Sequence, residues 1–260
     1  MESGKVMLHA ERLDIIREHV IHNKYGNINE LATMLNTSPA TIRRCFKQLE
    51  EEKLVESIRG GVVLTSTASI YEQPYTVKRQ HNTEEKIRIA KEACKYINTN
   101  DSIFLDSSST VYEMCAGLRK MKSLKISTND VLIASTLNVL DDCTVMVAGG
   151  TLRKGYYTLT GFFAQESIRQ IHVDTYFTGV DAITPAGDFM ITNTEEVDIK
   201  RYLMEHANQC IVLCDHEKFN CAAFLHLWDY TQVDKVITGN ELDDELYQKY
   251  VDLGMPLIRV

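Results

Sequence analysis

Two groups of residues in this chain have the types and spacing to do chemistry. The first is Asp106-Ser107-Ser108-Ser109-Thr110, a carboxyl followed by four hydroxyls. It stands between an apolar run and a segment whose apolar positions, Val111, Met114, Cys115 and Leu118, have helical spacing. Hydroxyls beside the free N–H groups of a helix start suit a phosphate, and they equally suit simple capping of that helix. Glu196 and Lys200 lie one helical turn apart, the spacing of an ion pair, and Asp215 with Lys218 sets opposite charges directly after an apolar strand-like run. The second group is Thr41, Arg43, Arg44 and Lys47, with Ser38 before them and Arg59 after. Such side chains donate to the phosphates and base edges of nucleic acid.

The second group needs a helix to carry it. Ser38 is a natural N-cap and Pro39 fits the first helical position. Ile42, Cys45, Phe46 and Leu49 then fall on one stripe, leaving Thr41, Arg43, Arg44, Lys47 and Gln48 on the rest of the cylinder. Upstream, Asn27 with Glu30 has capping-box spacing ahead of Ile28, Leu31, Ala32 and Leu35. Residues 11–22 place Leu13, Ile16, Val20 and Ile21 on a third apolar face. Downstream, residues 54–64 are two short apolar runs about Gly60-Gly61, a β-hairpin carrying Arg59. Together these spacings predict a winged helix-turn-helix. Residues near the start of the recognition helix reach bases, whereas Arg44, Lys47 and Arg59 suit backbone phosphates. Glu50, Glu51 and Glu52 repel DNA, so only the first two turns are expected in the groove.

The first group needs a sheet. From about residue 84 a helix is followed by short β-rich runs at 102–105, 124–127, 144–147, 175–178, 211–214 and 235–238, with helix-period segments between them. Alternating strands and helices predict a mostly parallel sheet covered on both faces. The run ends carry residues 106–110, Thr128-Asn129, Gly149-Gly150, Gly179, Asp215 and Thr238-Gly239. In such sheets ligands bind outside the carboxyl ends of the strands, so these tips predict a polar small-molecule pocket.

Composition sets the frame. The 260 residues carry a formal charge of −8. Residues 1–70 hold nine basic and nine acidic side chains, so the excess acid belongs to the remainder. A neutral head neutralises few phosphates by itself, and pairing heads through a homo-oligomer offsets this. The expected layout is a DNA-binding domain at 1–65, a polar linker at 66–82 and an α/β effector domain at 83–260. The seven cysteines are scattered through apolar runs and read as free thiols of a reducing, cytoplasmic setting. Neither a signal-peptide core nor a membrane-length apolar run is present in the sequence. No metal-ligand spacing, catalytic set or cofactor motif stands out.

Taken together, these residues resemble the DeoR family of bacterial transcriptional regulators along nearly the whole chain. The resemblance rests on Ser38-Pro39-Ala40-Thr41-Ile42-Arg43-Arg44, Gly60-Gly61, Glu85-Lys86 with Ile89-Ala90, Asp106 with Ser109-Thr110, Thr128-Asn129, Gly149-Gly150, Gly161, Gly179, Glu196 with Lys200, and Asp215 with Lys218-Phe219. Two positions depart from the family pattern: Cys45 where an Asp is usual, and serines where a glycine usually precedes the loop threonines. The resemblance implies a repressor of sugar-use genes with an effector domain like ribose-5-phosphate isomerase, responding to a sugar phosphate. It implies DNA contacts from Ser38, Thr41, Arg43, Arg44, Lys47 and Arg59. Residues 106–110 and Lys218 are expected around phosphate. Thr128, Asn129, Glu196, Lys200 and Asp215 are expected around the sugar, with Gly150 also in the effector site. The alternative is a sugar-phosphate isomerase with an appended helical domain.

Overall fold

The computed structural model describes residues 8–23, 25–52, 54–64, 72 and 75–260, which divide into two units, Met1–Tyr71 and Glu72–Val260. The head unit runs α1 His9–Asn23, β1 Tyr25–Asn27, α2 Ile28–Met34, α3 Pro39–Glu51, β2 Val55–Ile58 and β3 Gly61–Leu64. Ser38 caps α3 by accepting from the Thr41 amide at 3.2 Å, and Asn27 caps α2 by accepting from Asn29 and Glu30. The stripe Ile42, Cys45, Phe46 and Leu49 is buried against Leu13, Ile16, Val20 and Leu31. Cys45 is therefore a core residue of the helix, and its departure from the family pattern concerns packing. The sheet order is β1-β3-β2, all antiparallel, and β1 is an addition to the expected hairpin. Gly61 makes that third strand possible, because a Cβ there would lie 2.0 Å from the Gly26 carbonyl oxygen.

The body unit contains α4 Tyr75–Gln80, α5 Thr83–Ala93, β4 Ser102–Leu105, α6 Ser109–Tyr112, α7 Met114–Leu118, β5 Lys125–Thr128, α8 Val131–Leu137 and β6 Thr144–Val147. It continues with β7 Thr151–Leu152, β8 Leu159–Thr160, α9 Phe162–Ile168, β9 Thr175–Thr178, β10 Ala182–Ile183, β11 Asp188–Ile191, α10 Val197–His206 and β12 Gln209–Leu213. The last elements are β13 Leu225–Asp229, β14 Lys235–Thr238, α11 Asp244–Asp252 and β15 Leu257–Arg259. The main sheet has the order β15-β14-β12-β9-β4-β5-β6, with every neighbouring pair parallel. Alternate residues feed two cores. Ile103 and Leu105 pack with Phe177, Ile211 and Ile237 on one face, while Phe104 packs with Tyr176, Val212 and Val236 on the other. A sheet buried on both sides explains why its strands read as apolar runs rather than alternating ones.

The chain lays β4, β5 and β6 outward in one direction, then returns to place β9 beside β4 and builds β12, β14 and β15 the other way. The order reverses between β4 and β9, so the loops after these two strands diverge and leave a crevice. Of the segment read as a linker, residues 66–71, 73 and 74 lie outside the described residues. The remainder is more ordered than a linker reading allows. Residues 75–80 form α4, which buries Tyr75 and Val77 in the body unit.

Candidate functional site

The crevice between β4 and β9 holds a polar cavity of about 50 Å3, room for a few water molecules. Ser107, Ser108 and Ser109 line it from the β4 loop, and Gly179, Val180 and Asp181 from the β9 loop. The two loops touch because position 179 lacks a side chain: a Cβ there would lie 2.3 Å from the Ser108 hydroxyl oxygen. Ser108 itself caps α6, accepting from the Thr110 amide at 3.3 Å, and Ser107 donates to Asp130 at 2.7 Å. Capping, one of the two uses open to this serine run, is thus realised by Ser108, and Ser109 is left facing the cavity.

Beneath the loops sits a buried ion pair. The Lys200 ammonium donates to the Asp106 carboxylate, to the Gly179 carbonyl at 3.0 Å and to the Thr178 hydroxyl at 3.3 Å. Thr178 in turn donates to Asp106 at 2.6 Å. Every proton of the ammonium is engaged, and although burial opposes its charge, Asp106 and Glu196 outweigh that and hold the Lys200 pKa above its ordinary value. Such a lysine fixes the two loops. It is not poised to accept a proton from a substrate.

Next to this pair lies a cluster of charges, of which Glu72, Lys78, Asp181 and Glu196 line the cavity and Arg153 stands behind Glu72 and Glu196. Arg153, from the β7–β8 hairpin, donates to the Glu72 carboxylate through both terminal nitrogens and to Glu196 at 3.0 Å, and its guanidinium stacks 3.8 Å from the Tyr156 ring centre. Lys78 on α4 donates to Glu72 at 3.0 Å and to Asp181 at 2.9 Å. Asp181 also accepts from the Thr192 amide at 2.8 Å. Burial pushes the Glu196 carboxyl up to about 7; Lys200 and Arg153 pull the other way, and Asp106 and Glu72 add to the rise. Burial opposes the Asp181 charge, but Lys78 and Lys218 outweigh it and hold that carboxyl below the usual range.

Of the effector residues expected from sequence, Ser107, Ser108, Ser109, Glu196 and Lys200 line this cavity. Asp106 and Thr110 are buried directly behind it in the same loop. Glu196 and Lys200 do not pair with each other, as their spacing suggested; each finds a partner from another element. Thr128 is spent on structure, donating to the Leu105 carbonyl at 2.6 Å and accepting from the Asp130 amide at 3.0 Å. Asn129 is fully buried, and among the described residues neither atom of its side-chain amide has a partner. Asp215 and Lys218 belong to a neighbouring cluster with Glu85, Lys86 and His216, where His216 donates its amide to Glu85 at 2.8 Å. Lys218 acts electrostatically on both Asp181 and Asp215, so it stands between the two clusters. Gly150 is exposed, outside the cavity lining, and its missing Cβ admits the Thr160 carbonyl, 2.7 Å from where that atom would be. That is a packing role.

Sequence reasoning missed Glu72, Lys78, Arg153 and Asp181. Arg153 and Lys78 find their acids 81 and 103 residues away along the chain, so no local spacing announces them. The one usable signal was Arg153-Lys154 shortly after the glycine pair at the β6 tip.

In the head unit, Ser38, Arg43, Arg44, Lys47 and Arg59 are exposed and Thr41 half-buried. None of the three arginines or Lys47 has a carboxylate partner among the described residues. The acids at the far end of α3 are partly occupied: Glu50 accepts from the Ser57 amide at 3.2 Å and Glu52 from Arg17 at 2.9 Å. An open cationic start and a tied-down acidic end give α3 one end suited to a DNA groove.

A family model described as the DeoR-like helix-turn-helix domain matches residues 12–68, and one described as the DeoR C terminal sensor domain matches residues 81–240. The chain belongs to the DeoR family. Among its DeoR-family relatives, the glycerol-3-phosphate regulon repressor of Escherichia coli is 30% identical over 232 residues, covering 89% of this chain and 91% of that protein. The HTH-type transcriptional regulator GolR of Listeria innocua is 29% identical over 96% of this chain and 98% of its own length. The HTH-type transcriptional repressor GlcR of Bacillus subtilis is 29% identical over 89% of each. The protein is accordingly a DNA-binding transcriptional regulator with a sensor domain, and the isomerase alternative is set aside. A solved ribose-5-phosphate isomerase with phospho-erythronic acid overlaps about half of each chain, 53% of this one and 54% of that one, at 17% identity and a TM-score of 0.40.

Proposed function

We propose that this DeoR-family regulator is a cytoplasmic homo-oligomer that represses carbohydrate-metabolism genes, with operator affinity set by a phosphorylated sugar in the β4/β9 crevice. The observation that carries the reading is a charge-lined cavity at the switch point of a parallel sheet, in one chain with a winged helix whose leading arginines have no carboxylate partner among the described residues. In this reading Ser108, Ser109 and Glu196 meet the ligand, and Lys200 holds the two loops that carry the site. Asp106 and Thr110 shape the loop, and Asn129 supplies a spare donor and acceptor for a sugar hydroxyl. Lys218 adds positive potential from behind, with Asp215 holding it in place. Thr41, Arg43 and Arg44 meet the operator, with Ser38, Lys47 and Arg59 on its backbone.

Homo-oligomerisation is supported by the chain about the free edge of the main sheet. Met146 and Val147 on edge strand β6, Leu152 on β7, and Phe162 and Phe163 at the start of α9 are all exposed, the last two by 68% and 71%. A run of large apolar side chains beside an open strand edge is costly to leave in water. A thermal-shift screen of the full chain against paired sugars, phosphorylated and not, tests the ligand class. Stabilisation by a phosphorylated member and not by its unphosphorylated partner supports the reading; equal response to both members of each pair rejects it.

A further inference from the structure

Resting on the sugar-phosphate reading above, we infer that Glu72 is a built-in stand-in for the ligand's anionic group: an incoming anion takes over Arg153 and Lys78 and expels the Glu72 carboxylate. Three observations lead there. Glu72 presents both carboxylate oxygens to one guanidinium and one of them also to an ammonium, with all three side chains less than one-fifth exposed. A planar guanidinium stacked on Tyr156 and a neighbouring ammonium form the pair of donors that a phosphate also satisfies. The cavity that remains beside them is only about 50 Å3, so withdrawal of the Glu72 carboxylate enlarges the space open to a ligand at these donors. Of the wall residues, Glu72 is the one whose carboxylate is held by both Arg153 and Lys78, so it is the one that an anion taking those two donors displaces. Lys200 is anchored in α10 and on the Gly179 carbonyl, and Asp181 by the Thr192 amide.

The built-in carboxylate reduces apparent ligand affinity in proportion to the fraction of time the two donors are free of it.

The test uses the full chain and inorganic phosphate as probe, titrated calorimetrically against the parent, Glu72→Gln and Arg153→Ala. Glu72→Gln is expected to bind phosphate at least about fivefold more tightly than the parent, the lower end of ordinary site coupling, and Arg153→Ala to lose binding. In the parent, phosphate is expected to speed amide hydrogen exchange in the peptide that carries Glu72, a readout that needs no variant to fold. Equal or weaker phosphate binding by Glu72→Gln, or unchanged exchange at Glu72 on saturation, overturns the inference. The two claims fail separately. A sugar phosphate that controls operator binding without Glu72→Gln altering phosphate affinity sinks only the stand-in role. Tightened phosphate binding with an operator that ignores every sugar phosphate sinks only the effector reading.

Discussion

Glu196 is the side chain whose charge is most open to adjustment. Burial holds its carboxyl near 7, well above an ordinary glutamate, while Arg153 contacts it at 3.0 Å. Below that value it is neutral and can donate a hydrogen bond to an anion; above it, it is charged, repels the anion and competes for Arg153. Affinity for a phosphorylated ligand is therefore expected to fall as pH rises from 6 to 8 relative to Glu196→Gln, by about tenfold at most for one titrating group. Isothermal titration of both proteins across that range measures the ratio, and a pH-independent ratio removes Glu196 from the ligand's surroundings. The Glu196 and Lys200 spacing was legible in the sequence, but their true partners were not. An i, i+4 pattern reports a shared helix face, and only the sheet order brings Asp106 and Arg153 to that face.

At the scale of elements, α3 carries the operator contacts and its stripe is fully committed to the core, so its exposed arginines can be changed without unfolding the head. Arg44→Ala is expected to weaken binding to all DNA sequences alike and to lower the salt slope by about one phosphate contact. Arg43→Ala is expected to cost about 1 to 3 kcal/mol on the operator and less on unrelated DNA. Fluorescence anisotropy at several salt concentrations separates the two, and identical behaviour of both variants contradicts the division of labour. The elements themselves were largely readable. All six expected strands of the main sheet form: the inner ones are buried on both faces and so read as continuous apolar runs, and edge strand β6 keeps a β-rich run although it is largely exposed. The three-residue β1 and β15, the β7–β8 hairpin and the β10-β11-β13 sheet escaped notice. β1, β7, β8, β10 and β15 are only two or three residues long, β11 and β13 pair antiparallel outside the strand–helix alternation, and Gly26 and Gly61 allow β1 through backbone proximity rather than through side-chain pattern. Helix α4 was hidden by its polar flanks: Tyr75 and Val77 are too few to mark a period, and Lys78 turns its charge inward to Asp181.

For the molecule as a whole, the neutral head makes the number of heads per complex decisive, since affinity grows with phosphates neutralised. Phe163→Asp, at an exposed position next to the edge strand, is expected to shift the protein to a smaller species in sedimentation velocity and to weaken operator binding by about tenfold or more through lost bivalency. A variant that sediments like the parent places the self-association surface elsewhere. The central claim is that one chain couples a metabolite cavity to an operator-binding helix. Its most direct test is operator affinity of the full chain, measured by anisotropy at fixed salt, with and without the phosphorylated sugar that stabilises it. A change of about 5- to 150-fold, the usual range of coupling between two sites, is the expected result, abolished in Arg153→Ala. Operator affinity that stays the same at saturating ligand contradicts the account.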